Sequence, residues 1–101
     1  MACYAITVAF DLQGGARERF LELVSQNART SVGEEPGCLR FDVLTPLGAE
    51  APDVLLYEIY ENRTAFEVHL ASSHFRRFDE ATRDLVQRKS VVEFWVSQNT
   101  K

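Results

Sequence analysis

Residues 53–69 read Asp53-Val54-Leu55-Leu56-Tyr57-Glu58-Ile59-Tyr60-Glu61-Asn62-Arg63-Thr64-Ala65-Phe66-Glu67-Val68-His69, and their hydrophobic period changes partway. Up to Glu61 the period is two. Leu55, Tyr57 and Ile59 share one face, and Leu56, Glu58 and Tyr60 the other, which predicts a strand over 53–61. Beyond Asn62, a favoured helix N-cap residue, the period is helical. Ala65, Phe66, His69 and Leu70 fall on one face of a helix over 63–71. Ser72 or Ser73 caps a further helix over 74–88, with Phe75, Phe78, Thr82, Leu85 and Val86 as its inner stripe. The junction gathers a mid-strand carboxylate, two tyrosines and, at 69 and 74, both histidines of the chain. A small-molecule pocket needs that mixture of apolar and titratable groups.

Working outward, Tyr4, Ile6, Val8 and Phe10 alternate with Ala5, Thr7, Ala9 and Asp11, which predicts a strand over 4–11, and Gln13-Gly14-Gly15 turns the chain. Residues 16–32 form a helix whose inner stripe is Phe20, Leu23, Val24, Asn27, Ala28 and Ser31. Asn27 is a polar interruption of that stripe. Gly33 is the expected C-terminal glycine, and Pro36 bars continuation. Leu39, Phe41 and Val43 oppose Arg40, Asp42 and Leu44 in a strand over 38–45, joined to the next by a short loop, as in an antiparallel hairpin. Val92, Phe94 and Val96 oppose Val91, Glu93 and Trp95 in a last strand over 90–97.

The order β-α-β-β-α-β, with the second helix broken in two, is that of a ferredoxin-like α+β domain. It implies a four-stranded antiparallel sheet with its helices on one face. Residues 1–101 are expected to form this single domain. Every strand carries large apolar residues on both sides, which an exposed face would not tolerate. Two copies joined through their sheets into a dimeric α+β barrel would bury the second face.

A hydrophobic fraction of 46% excludes disorder. A net charge of −4 argues against a nucleic-acid partner, which requires a clustered basic field. Arg76 and Arg77, with Arg83, Arg88 and Lys89 behind them, read as a solvated helix face. No apolar run approaches the ~20 residues that span a bilayer, and Met1-Ala2-Cys3-Tyr4 leads into a strand without a basic leader region, so a cytoplasmic location is expected. Cys3 and Cys38 are expected to be reduced, and their spacing makes neither a zinc site nor a redox motif.

The run Glu34-Glu35-Pro36-Gly37-Cys38-Leu39-Arg40-Phe41-Asp42-Val43, then Tyr57-Glu58-Ile59-Tyr60, then Ala65-Phe66 with His69 and Ser72-Ser73-His74-Phe75, resembles the antibiotic biosynthesis monooxygenase family over roughly residues 4–96. The resemblance implies a dimeric α+β barrel that oxidises aromatic quinols with O2, without flavin or metal. A haem-degrading branch is disfavoured, because its axial histidine position aligns with Asp79. A branch isomerising a phosphorylated signal carries a histidine where this chain has Ala28.

Oxygen reacts directly with a deprotonated, electron-rich ring, so the protein must remove a proton, hold the ring and exclude water. His69 is the expected base and Glu58 the carboxylate that fixes its tautomer, with His74 a second acid–base candidate. Asn27, Tyr60, Phe66 and Phe78 are expected to contact substrate. Arg40 would meet an anionic one, as in the alternative reading of an acid–base isomerase. A third reading is a non-catalytic dimeric binding domain. The expected partners are a small molecule, O2 and a second copy of the chain. No cofactor and no metal are expected.

Overall fold

The computed structural model describes residues 2–98. The elements run β1 (Tyr4–Leu12), α1 (Arg17–Glu34), β2 (Cys38–Leu44), β3 (Val54–Tyr60), α2 (Arg63–Ala71), α3 (Ser73–Thr82), a 3-10 turn (Arg83–Leu85) and β4 (Val86–Trp95). The strands form one antiparallel sheet in the order β2-β3-β1-β4. This is the ferredoxin-like arrangement that the alternating periods predict. No helix among the described residues is long and apolar enough to cross a membrane.

Strand alternation decides which face is core. Tyr4, Ile6, Val8 and Phe10 are all buried and pair across β3 with Tyr60, Glu58, Leu56 and Val54. Phe20 and Val24 of α1 and Phe78 of α3 pack against that same face. The opposite face is left uncovered in the single chain. Leu44 of β2 and Val92 and Phe94 of β4 are each about half exposed there.

Local chemistry sets the joints. Gly15 turns the chain with φ +80°, a conformation that favours glycine. The Asn62 side chain accepts the Ala65 N–H at 2.8 Å and starts α2 as expected, and the Ser72 side chain accepts the Phe75 N–H at 3.2 Å and starts α3. Asn62→Ala should therefore lower stability by about 1 kcal/mol, read as a shift in urea midpoint at unchanged slope.

Three departures from the sequence reading have a clear physical cause. Gly33 is inside α1 rather than beyond it, since the helix continues to Glu34 and ends where Pro36 forces Glu35 into extended backbone, φ −100° and ψ 109°. The second half of the α2–α3 region is shorter than predicted. The helix stops at Thr82 and the strand begins at Val86, because Gln13 N–H bonds to Leu85 O and Leu12 pairs with Val86. Nine-residue β1 thus pairs Asp11 with Arg88 and Leu12 with Val86, leaving Gln87 at the bulge between them, despite the helix-like pattern of this stretch. Finally, a bulge between Cys38 and Arg40 takes Leu39 out of the core, and Leu39 is 51% exposed while Phe41 stays buried.

Candidate active site

Asn27, Ser31 and Glu35 succeed one another at intervals of four along and just past α1, and all three are buried. That spacing stacks them on one helix face. Ser31 Oγ donates to Asn27 O at 2.7 Å. Glu35 is held by its own backbone, its N–H on Ser31 O at 3.0 Å and its carbonyl accepting Cys38 N–H at 3.0 Å. Pro36 fixes the extended turn between them, and the Glu35 side chain is carried inward under α2 and α3.

Two histidines meet it there. His69, in the last turn of α2, is 2% exposed, and its Nδ1 lies 2.8 Å from Glu35 Oε2 and 3.4 Å from Ser31 Oγ. His74, in the first turn of α3, places Nε2 2.5 Å from the same Oε2. A carboxylate accepts only, so the His69 proton belongs on Nδ1. The other ring nitrogen, Nε2, then carries a lone pair and has no hydrogen-bond partner among the described residues. Burial pushes the His69 pKa down against the pull of Glu35, which keeps the imidazole neutral. Phe66 stacks on this ring at 6.3 Å between centroids, and Phe75 packs at 5.1 Å.

Glu58 approaches from the sheet. It is 3% exposed and accepts a hydrogen bond from Tyr60 Oη at 2.6 Å. Burial raises its pKa to about 7, opposed by the Tyr60 hydrogen bond and by the charge of Lys89. Tyr60, itself buried beside that carboxyl, is pushed well above the ordinary phenol range.

Between sheet and helices lies a cavity of about 200 Å³. Its floor is Ile6, Val8 and Leu56, and its aromatic walls are Phe41, Phe66, Phe75 and Phe78. Asn27, Glu58, His69 and Lys89 supply its polar atoms. The Asn27 side-chain oxygen is buried with no hydrogen-bond partner among the described residues.

Of the residues singled out from sequence, His69, Glu58, Asn27, Phe66 and Phe78 line this one cavity. Tyr60 is fully buried behind Glu58 and is not part of the lining. His74 lines a separate outer groove with Gln26, Thr30 and Arg77. Arg40 is a correction. It lies among the outward-pointing residues of β2, bonded to Asp42 at 2.6 Å and 5.7 Å from the Tyr57 ring, because strand alternation turns it away from the cavity. The partner expected for Glu58 is a second correction. The carboxylate that fixes the histidine tautomer is Glu35, whereas Glu58 bonds Tyr60. Glu35 read only as part of a helix-ending Glu-Glu-Pro-Gly. The signal was its place four residues beyond Ser31 and directly before a proline.

Comparison with known proteins places this architecture. No curated protein matches the sequence. Solved structures do. A Nitrosomonas europaea protein provisionally named an antibiotic biosynthesis monooxygenase is 26% identical, with a TM-score of 0.88 over 98% of this chain and 94% of that one. A Pseudomonas aeruginosa protein (18% identity, TM-score 0.86, 97% of each chain) and a Mycobacterium tuberculosis protein (22%, 0.84, 98% of this chain and 99% of that one) share the fold. The sequence profile described as "Antibiotic biosynthesis monooxygenase" matches residues 3–81, which include every side chain of the histidine–carboxylate cluster and all of the cavity but Lys89 and Val91. With that match over most of its length, the chain belongs to the antibiotic biosynthesis monooxygenase family.

Proposed function

We propose that the chain oxidises a small aromatic quinol with O2 without flavin or metal, as a homodimer joined through its sheet faces. The observation that carries this reading is an apolar, aromatic-walled cavity that presents two proton-exchanging groups, His69 and Glu58, from opposite walls. Its volume is suited to a compact ring system, since an apolar cavity of about 150 Å³ accommodates benzene. The half-exposed apolar residues of β4 on the uncovered sheet face support the dimer.

In this reading His69 Nε2 takes a phenolic proton, with Glu35 holding the resulting imidazolium. Glu58, titrating near neutrality, exchanges a hydrogen bond or a proton with the second hydroxyl. The phenolate gives one electron to O2, and the radical pair combines to a ring hydroperoxide. Loss of water, with the proton returned by His69, leaves a hydroxyquinone. One quinol and one O2 become one hydroxyquinone and one water, so the substrate supplies every electron and no outside reductant is consumed. The aromatic walls keep bulk water from the intermediates. With Arg40 on the other face, the isomerase alternative loses its expected contact to an anionic substrate.

The test is oxygen uptake against a panel of hydroquinones and anthrones with no added flavin or iron. We expect uptake by the wild type and a loss of about 100-fold or more in His69→Ala, the range of a positioned general base. Equal uptake by the two proteins would remove His69 from the chemistry.

A further inference from the structure

We propose that Glu35, His69 and His74 form a binding site for one divalent transition-metal ion, with zinc the best match to two imidazoles and a carboxylate. The inference goes beyond the oxygenase reading. One ligand atom from each residue can be chosen so that the three lie within 4.8 Å of one another. Their side chains are 8%, 2% and 10% exposed, respectively. The ligands come from the end of α1, the last turn of α2 and the first turn of α3, so a bound ion would tie all three helices together.

A separate observation points the same way. Glu35 Oε1 is buried and has no hydrogen-bond partner among the described residues. A buried carboxylate oxygen left without a donor is destabilising, and a cation bound by both Glu35 oxygens removes that penalty. Two carboxylate oxygens and two imidazole nitrogens are the four donor atoms that zinc takes. Both imidazoles crowd onto Oε2, at 2.8 and 2.5 Å. Tetrahedral metal bonds of about 2.0–2.2 Å would set each nitrogen about 3.3–3.6 Å from that oxygen, a spread of about half to one ångström. His74, near the surface and at the start of its helix, can supply that movement.

A metal bound at Nδ1 takes the place of the proton there, and neutral His69 then carries its proton on Nε2. Nε2 of His69, a cavity-lining residue, thereby changes from acceptor to donor. A metal bound behind the wall would convert the cavity's base into a hydrogen-bond donor.

The experiment titrates chelator-treated protein with Co2+, whose visible bands report nitrogen and oxygen coordination, and then displaces it with Zn2+. We expect saturation at one Co2+ per chain and competition by Zn2+. Losing even an outer partner of a metal site lowers affinity about 10–100-fold. Glu35→Gln, which preserves side-chain size, and His74→Gln, which lies near the surface, should therefore each weaken binding by at least about tenfold. Glu50→Gln, on an exposed loop, should leave it unchanged. No saturable band, or a band indifferent to both ligand variants in protein with wild-type circular dichroism, would overturn the proposal. The titration involves no turnover, so its failure and a failure of oxygen uptake are told apart.

Discussion

Gly37→Ala is expected to destabilise the chain by about 1–3 kcal/mol, the usual result of inserting a methyl group into a packed contact. A Cβ at residue 37 would stand 2.5 Å from the Ala65 Cβ, a separation that carbon atoms do not tolerate. Neither side can yield cheaply. Gly37 is pinned by its carbonyl, which accepts the Glu61 N–H at 2.8 Å, and Ala65 is pinned by the Asn62 cap. The clash must push α2 outward, and α2 carries His69 and Phe66. For a domain of this length the loss corresponds to a fall of about 5–20 °C in Tm. Activity should fall further than stability alone implies, because a displacement of about 1 Å can cost about 100-fold in rate. Adding Ala65→Gly removes the opposing methyl and should recover part of the loss, offset by about 1 kcal/mol for glycine in a helix. Gly33→Ala is the contrast. It is helical, exposed, and has nothing among the described residues within 4 Å of a new Cβ, so it should stabilise by about 0.5–1 kcal/mol. Urea midpoints of the three variants and the wild type decide the matter. A Gly37→Ala protein as stable as wild type would show that α2 does not rest on this contact.

The contrast between these glycines also shows what could be read from the sequence. Both stand near the end of α1, and composition treats them alike. Only the fold reveals that one is free and the other pressed against a helix about 30 residues away. Local signals survived into the structure: the alternation of β1, the Asn62 cap and the apolar stripe of α1 with Asn27 inside it are set by neighbours a few residues apart. Boundaries that depend on a distant partner did not. The start of β4 at Val86 is dictated by Leu12 across the sheet, and the exposure of Leu39 by a bulge against β3. The site divides the same way. His69, Phe66 and Asn27 share a cavity because their helix faces were legible. Arg40 lies outside it and Glu35 lies beneath it, because a strand register and a proline-bound helix end decide where those side chains go.

Glu58→Gln should make the chain more stable at pH 8 while removing oxygen uptake. The carboxyl is ordinarily at 4.5 and is raised to about 7 here, chiefly by burial. The folded state therefore binds this proton more tightly than the unfolded state does. The sign follows: protonated Glu58 costs no charge burial below about pH 4.5, stability is lost as pH rises through the window to about 7, and the loss is complete above it. Integrated over that window the penalty is about 3 kcal/mol. Glutamine matches the protonated acid in shape, keeps an oxygen to accept from Tyr60 Oη, and carries no charge at any pH. The variant and wild type should have similar urea midpoints at pH 4.5, and the variant should gain up to about 3 kcal/mol by pH 8. His69 titrates in the opposite sense. Its lowered pKa gives stability above its unfolded value near 6.5 that is lost as pH falls through the depressed folded value. It does so in both proteins, so the difference between them isolates Glu58. A charge kept in an apolar wall at this expense is the pattern of a group retained for function rather than for folding. Equal midpoints at pH 8 would mean that the carboxylate is hydrated in solution, and Glu58 would then lose its place beside His69 as a proton carrier tuned to neutrality.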